Sequence, residues 1–402
     1  MPDITLYSKL VMQARRFPAL HRQLKKIRRI LLEQVPMTLV NLLRVVAPTS
    51  CLRLGPPKGS YSIYQSLVFE NRRPSRIVLH DQEVPKVSPA SLLVISKMNH
   101  HTCQPWPVLW GHYKNARLVA SSLALLDEHK RICRESVYGD VFLEGDAAWR
   151  YLYLRNPVFL AGNWTSIVSR WVQNSDVPLF SHWIQDALPR LALLKEFPPD
   201  TKILVPAQLA GYQKETLKLL GVLDRLRYTP EKHVLVENYY FSSPTAMIAN
   251  YNPYAVNWLR SAFLPHADKS YEGPKRFIIQ RKGKSRGIKN EPEVNAFFRK
   301  LGWGIVDTEQ LTFAQEIQLF AQAEAVSGIF GSGFTNVLWS QPGCKVITLV
   351  ADTWVDGGIE AICIANKLDY YWQIFPSDHE MRATVDLGEV KKLLQKAGLD
   401  AG

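Results

Sequence analysis

The chain has 402 residues, more than one hydrophobic core usually supports, so two domains are expected. Apolar residues make up 47% and charged residues 21%, as in an ordinary globular protein, and no run of about eighteen apolar residues predicts a membrane span. The five cysteines include no C-x-x-C pair, which argues against a disulfide framework or a zinc site and favours a reducing cytoplasmic setting.

The net charge of +13 is partly concentrated in residues 1–46, where basic and apolar residues alternate at roughly helical spacing. This pattern predicts a basic amphipathic helical extension. Its basic face is either solvated or meets a polyanion, and residues 15–46 could then contact the inner face of a membrane. The first residues do not resemble a signal peptide, and no nucleic-acid-binding module is recognised, so nucleic acid is not expected as a partner.

Residues 47–265 are predicted to form an N-terminal α/β domain with a β-rich first part. Short branched-apolar runs predict strands at 76–80, 92–95 and 117–120, and a hairpin over 122–133. Strands and helices then alternate. The predicted helices span 181–197, 207–220 and 257–264, and the predicted strands span 202–205 and 234–236.

The segment 266–274 reads as a linker, and residues 275–402 as a Rossmann-like domain. Its predicted strands are 276–279, 303–306, 325–329 and 345–350, and its predicted helices are 291–301, 313–323 and 335–340. This alternation predicts a parallel sheet, in which ligands bind beyond the carboxyl ends of the strands.

The glycine-rich turn 328–336 follows one of these predicted strands and precedes a predicted helix. Small residues at Gly331, Ser332 and Gly333 allow a sharp turn and a close approach by a ligand. The helix start behind them favours a phosphate or pyrophosphate. The alternative is a plain strand-to-helix turn that binds nothing.

A basic loop, 280–291, lies at the end of the first predicted strand of this domain. Its cations are Arg281, Lys282, Lys284, Arg286 and Lys289. Arginine can hold two phosphate oxygens at once, so the loop either neutralises a diphosphate or is simply solvated. It is no P-loop, because that motif needs a glycine where Ile278 stands.

His182 and Asp186 are four residues apart on a predicted helix and therefore share a face. A carboxylate beside an imidazole can take a proton from a hydroxyl nucleophile. The alternative is an ordinary ion pair on a helix surface.

Three segments, in this order, resemble glycosyltransferase family 61, which includes capsular-polysaccharide biosynthesis proteins. The first is His182-Trp-x-x-Asp186 with Leu188-Pro-Arg-Leu191. The second is Arg281 with Ser285-Arg286 and Asn290-Glu291. The third is 311–317, followed by the turn 328–336. Looser similarity runs from about residue 90 to residue 375.

The resemblance implies a GT-B-like α/β fold, with two Rossmann-like domains facing across a cleft and the donor held by the C-terminal one. It implies an inverting transfer of a sugar from a nucleotide diphosphate, most commonly a uridine nucleotide, to a hydroxyl of a glycan or lipid-linked glycan. Asp186 would be the base, with His182 orienting or replacing it and Arg190 as a partner behind the pair. Glu291 would bind hydroxyls or hold Arg286. The residues placed at the donor are Arg281, Lys282, Arg286, Asn290, Glu291, Phe330, Gly331, Ser332, Gly333, Thr335 and Asn336.

The sequence contains no Asp-x-Asp, so a reaction without metal or cofactor is expected. Phe330 departs from the family pattern, which usually has histidine there, and this puts the identity of the donor in question. A nucleotide-binding homologue without activity and a basic membrane- or polyanion-binding scaffold are the alternatives.

Overall fold

The computed structural model describes residues 60–61, 108–119, 122–127, 129, 131–137, 157–169, 172, 179–231, 233–243, 246–247, 250–281, 286–353 and 358–399. The predicted helical extension over 1–46 and the predicted strands at 76–80 and 92–95 lie outside these residues. No helix within the described ranges is long and apolar enough to cross a bilayer.

Within these ranges, eight strands form a first, mixed sheet in the order β1-β4-β3-β2-β8-β5-β6-β7. In chain order they are Ser60–Tyr61, Trp110–Val119, Ala124–Leu126, Ile132–Cys133, Val158–Ser166, Lys202–Pro206, Leu226–Thr229 and His233–Ser242. The half of this sheet that runs from β8 to β7 is parallel, because β5 runs parallel to β6 and β8, and β6 runs parallel to β7. The predicted hairpin is confirmed as the antiparallel pair β3–β4. A separate pair, β9 (Ala246–Met247) and β10 (Asn250–Tyr251), follows.

The second sheet is parallel throughout, in the order β12-β11-β13-β14-β15. Its strands, from β11 to β15, are Arg276–Ile279, Gly304–Val306, Ala325–Ile329, Lys345–Ala351 and Asp369–Phe375. All five residues of β13 are buried, as expected of a central strand covered on both faces. The four predicted strands of this half are confirmed. Two parallel-rich sheets with helices between the strands confirm the α/β class, whereas the cleft and the domain boundaries stay predictions.

The α-helices of nine residues or more in the described ranges are Gly211–Leu219 (α1), Pro253–Phe263 (α2), Glu291–Lys300 (α3), Phe313–Ala321 (α4), Gly358–Asn366 (α5) and Leu387–Lys396 (α6). Helix α2 begins four residues before its predicted start. The side chain of Asn252 accepts the Tyr254 N–H at 2.9 Å, and Pro253 occupies the first turn, where no N–H is needed. Helix α1 begins at Gly211, four residues after its predicted start.

The predicted helix 181–197 is helical, but its geometry changes along its length. It is α-helical over Phe180–His182, π-helical over Trp183–Ala187 and 3₁₀-helical over Leu188–Glu196. Pro189 has no N–H, so it cannot donate to the Gln185 carbonyl as an α-helix requires. Just before it, the backbone hydrogen bonds change from the α-helical to the wider π-helical spacing. We call the whole segment the 180–196 helix.

A single hydrophobic cluster joins the two sheets. The ring of Phe263 on α2 makes edge contacts with Phe313 and Trp339, with centroid distances of 5.5 and 5.9 Å. Trp183 is fully buried in the same cluster, and its indole N–H donates to Thr216 at 2.9 Å. This shared core fixes the 180–196 helix against the second sheet.

Candidate functional site

The 180–196 helix carries the predicted pair His182 and Asp186. Nδ1 of His182 and Oδ2 of Asp186 lie 2.5 Å apart, so the predicted shared face is confirmed as a direct hydrogen bond. The Asp186 side chain is 4% exposed and the His182 side chain 31% exposed. The histidine is therefore the member of the pair that reaches the surface, and the carboxylate lies behind it.

The same helix touches the glycine-rich turn. The Gln185 side-chain amide donates to the Thr335 hydroxyl at 3.3 Å, and both residues are buried. The segment Phe180–His182 also contacts the 3₁₀ helix Ser332–Trp339 that follows the turn. The predicted helix over 335–340 is thus confirmed with an earlier start, and the turn lies beside the His182–Asp186 pair.

The turn itself is built at the carboxyl edge of the second sheet. Strands β11 and β13 are parallel neighbours, with Ile279 opposite Gly328, so both end at this edge. Gly328 has φ 149°, and a β-carbon there would lie 3.0 Å from the Ile279 carbonyl oxygen. Glycine is therefore required for β13 to pass this close to β11.

Arg281, just beyond β11, reaches across to the turn. A β-carbon built on Gly331 would overlap Nη1 of Arg281, so the guanidinium lies directly against the Gly331 backbone. Its Nε is buried and has no hydrogen-bond partner in the described part of the chain. Burial lowers the pKa of Arg281 to about 10; the positive Arg286 adds to this effect and Glu309 opposes it. Arg281 therefore still carries its charge at neutral pH.

The rest of the basic loop is partly described. The Glu291 carboxylate accepts the Arg281 backbone N–H at 3.3 Å, so it holds the start of the loop. Arg286 has φ 65° and donates its own backbone N–H to the Glu380 carbonyl at 3.3 Å. Lys282 lies outside the described residues. The structure therefore brings Arg281, Arg286 and Glu291 together near the turn.

Two residues that were predicted to bind the nucleotide-sugar donor have side chains that form hydrogen bonds within the fold. The amide of Asn290 donates to the Val385 carbonyl and accepts the Val385 N–H, both at 2.9 Å. The amide of Asn336 donates to Glu316 at 3.1 Å and accepts the Trp339 indole N–H at 3.0 Å. Their roles at the donor stay predictions, and these bonds give both residues a structural role.

The turn residues differ in how far they are open to solvent. Phe330 is 8% exposed and belongs to the cluster that joins the sheets. Gly331 is also buried, whereas Ser332 and Gly333 are half-buried. The half-buried pair is therefore the part of the turn best placed to meet a ligand, and the aromatic ring of Phe330 packs inward.

Gln185 and Glu309 are not among the predicted site residues, although both belong to the site. The Gln185 side chain joins the 180–196 helix to the turn through a hydrogen bond. The negative charge of Glu309 raises the pKa of Arg281 and so opposes the effect of burial. Glu309 follows β12 at the same carboxyl edge, so the strand-end rule could have found it. Gln185 had no such signal, because its partner Thr335 is 150 residues away.

Glu316 on α4 makes stability depend on pH. Burial raises the pKa of Glu316 to about 8, while the hydrogen bond from Asn336 opposes the shift. Between about pH 4.5 and pH 8 the folded chain holds a proton that the unfolded chain releases. The free energy of unfolding should therefore fall as pH rises through this window, by up to about 1.4 kcal/mol per pH unit from this residue.

Glu316→Gln should remove that part of the pH dependence, because the amide oxygen can still accept from Asn336. Urea unfolding at pH 5, 6.5, 8 and 9 measures it, with the half-exposed Glu324→Gln as the matched control. If wild type and Glu316→Gln show the same pH slope, Glu316 titrates normally and this account is wrong.

Comparison with known proteins agrees with this geometry. The family model Glycosyltransferase 61 matches residues 180–347, a range that holds the His182–Asp186 pair, Arg281 and the turn 328–336. Among curated proteins, none matches the chain. The family match supports a glycosyltransferase of family 61, as the three sequence segments predicted.

Proposed function

We propose that the chain is an inverting glycosyltransferase that moves a sugar from a nucleotide diphosphate to a hydroxyl of a glycan or lipid-linked glycan, as in polysaccharide biosynthesis. One observation carries the proposal. The bond from Gln185 to Thr335 places an imidazole–carboxylate pair beside a turn against which an arginine rests. A proton acceptor next to a cationic anion site is the arrangement that such a transfer requires.

The His182–Asp186 pair serves as the base. Because Nδ1 of His182 meets the carboxylate, Nε2 is the nitrogen that takes the proton of the acceptor hydroxyl. The acceptor oxygen then attacks the anomeric carbon, and the bond from that carbon to the diphosphate oxygen breaks. The buried carboxylate of Asp186 stabilises the imidazolium that forms. The greater exposure of His182 supports this order of roles, with Asp186 orienting the ring rather than meeting the acceptor itself.

Arg281 and the turn receive the leaving diphosphate. The guanidinium of Arg281 has a buried Nε without a partner in the described residues, and its fork matches two phosphate oxygens. Arg286, and Lys282 by its place in the loop, add positive charge. Ser332, Gly333 and the start of the 3₁₀ helix offer backbone N–H groups to phosphate or ribose. With the cations neutralising the leaving group, the reaction is proposed to need no metal.

The nucleobase of the donor, the acceptor and the cellular location belong to the same proposal. A uridine nucleotide is the expected donor, and the cytoplasmic face of a membrane is the expected setting. Contact with that membrane would fall to residues 15–46, outside the described residues. The family match does not favour the two alternatives, a homologue without activity and a basic scaffold.

A thermal-shift screen followed by a turnover assay tests the function. The purified chain is heated with each nucleoside diphosphate and nucleotide sugar in the presence of EDTA. One diphosphate should raise the midpoint by mass action, and its sugar nucleotide should release or transfer sugar with an inverted anomeric centre, read by proton NMR.

Each of the other outcomes would support a different function for the chain. A selective shift without turnover in the presence of glycan acceptors would indicate a homologue without activity. No shift with any nucleotide, together with salt-sensitive binding to anionic vesicles, would indicate the scaffold. Turnover that appears only when a divalent cation replaces EDTA would contradict the metal-independent part of the proposal.

A further inference from the structure

A buried arginine lies behind the proposed base. Arg190 is 4% exposed and sits on the 180–196 helix, one turn after Asp186. Its Nε donates to the Asp186 backbone carbonyl at 3.1 Å, and its Nη1 reaches the Val168 carbonyl at 3.4 Å. Its Nη2 is buried and has no hydrogen-bond partner in the described part of the chain. One end of the guanidinium is thus fixed, and the other donates to no group that the structure describes.

A second polar group that has no partner among the described residues follows Val168 directly. Ser169 is 1% exposed, and its hydroxyl has no partner among the described residues. Val168 and Ser169 come just after β5, at the carboxyl end of a strand with parallel neighbours on both sides. Ligands bind at such ends in parallel sheets. These two groups therefore lie where a ligand of the first sheet would be expected.

The groups packed around the Arg190 guanidinium in the described part of the chain include no ion-pair partner. Burial raises the pKa of Tyr239, and Arg190 opposes that shift, so the phenol beside the guanidinium is neutral at physiological pH. None of the described carboxylates forms an ion pair with Arg190. A buried guanidinium without an anion is costly, and unpaired buried donors add to that cost. An oxyanion would satisfy the guanidinium and the hydroxyl together.

We propose that Nη2 of Arg190 and the Ser169 hydroxyl form a subsite for an oxyanion on the acceptor, either a carboxylate of an acidic sugar or a phosphate. This inference rests on the proposed function, because it assigns the subsite to the acceptor side of the His182–Asp186 pair. It differs from the donor site, since Arg281 belongs to the second sheet. It also differs from a role in which Arg190 only positions Asp186. That role would use the Nε of Arg190 alone and would not explain why Nη2 and the Ser169 hydroxyl are buried without a partner among the described residues.

Binding of simple anions tests the subsite without any sugar transfer. The full chain carrying Arg281→Ala, which lacks the donor-site arginine, is titrated with inorganic phosphate, methyl glucuronide and methyl glucoside by calorimetry. One of the two anions should bind, and the neutral glucoside should not. Adding Ser169→Ala should weaken that binding by about 10-fold or more, as expected for one lost hydrogen bond to a charged group. Adding Arg190→Gln should abolish it.

The control is Ser327→Ala, which removes another fully buried hydroxyl without a partner in the described residues, in the middle of β13. It should leave anion binding unchanged. Ser169→Ala matters most, because it does not touch the contact between Arg190 and Asp186 and so keeps the test valid even if Arg190→Gln does not fold. Selective binding of phosphate identifies a phosphate-bearing acceptor, and selective binding of glucuronide identifies an acidic sugar.

Two results would overturn the proposal. In the first, neither anion binds the Arg281→Ala chain, which would leave the two groups to buried water. In the second, an anion binds but Ser169→Ala keeps its affinity. Because no donor is present, either result can be obtained whether or not the chain transfers sugar, so failure of the subsite and failure of the transferase function are distinguishable.

Discussion

Replacing His182 with glutamine should lower kcat for sugar transfer by about 10²–10⁴-fold and leave donor affinity unchanged, because general-base catalysis contributes on that order. Asp186→Asn should lower kcat by a similar order, since an amide cannot stabilise the imidazolium. Both side chains form one hydrogen-bonded pair, so the double variant should be little slower than either single variant. Steady-state kinetics with the donor from the nucleotide screen measures these effects.

The controls for the base are His266→Gln and Asp224→Asn, which change an exposed histidine and an exposed aspartate away from the pair. Each should keep the kcat of the wild type. A His182→Gln variant with full turnover and an inactive Asp186→Asn would assign the base to Asp186 itself. Full turnover in both variants would remove the pair from the mechanism.

Arg281→Ala should weaken binding of the nucleoside diphosphate by about 10- to 150-fold, the range expected for losing hydrogen bonds to a charged group. Arg281→Lys should recover only part of this affinity, because the ammonium keeps the charge but lacks the fork. Isothermal titration with the diphosphate measures both values. Arg299→Ala, on the exposed face of α3, is the matched loss of one positive charge and should bind as tightly as wild type.

Gly331→Ala tests the same contact without removing any charge. The backbone of Gly331 is extended, so alanine is tolerated, but its β-carbon would occupy the place of Nη1 of Arg281. The flexible guanidinium should move aside, and affinity should fall while the thermal midpoint stays close to that of wild type. Gly211→Ala, where an added β-carbon meets open space, is the control. Unchanged affinity in Gly331→Ala would show that the placement of Arg281 against the turn is not needed.

Local pattern was enough to predict most of the second sheet. Strand β13 matches its predicted bounds, because a short apolar run between a polar turn and a glycine-rich turn leaves few alternatives. Strand β5 was missed, since Gly162 and a register shift between Leu160 and Asn163 break its period. Strand β15 was also missed, because it is only half-buried along most of its length and its aromatic residues do not alternate with polar ones.

At the site, prediction worked where a helix or a strand end fixes the geometry. The four-residue spacing predicted the contact between His182 and Asp186, and the strand-end rule placed the basic loop beside the turn. The partners of Asn336 could not be predicted in this way. Its amide is taken by Glu316 on another helix, and only the packing of α4 against the turn decides that. Spacing identifies side chains that share a face, but it does not identify side chains that already have a partner.

The π-helical turn at Trp183–Ala187 changes the angle between the side chains before it and the apolar side chains after it, an angle that a regular helix would fix. In an α-helix each residue is rotated by about 100° from the one before it, so the apolar face and the reactive face keep a fixed angular relation along its whole length. The wider turn shifts that relation once, between Asp186 and the buried stretch from Leu188 to Leu193. A change in how the stretch from Leu188 to Leu193 packs therefore need not turn His182 and Asp186 away from each other, because that stretch lies beyond the wider turn.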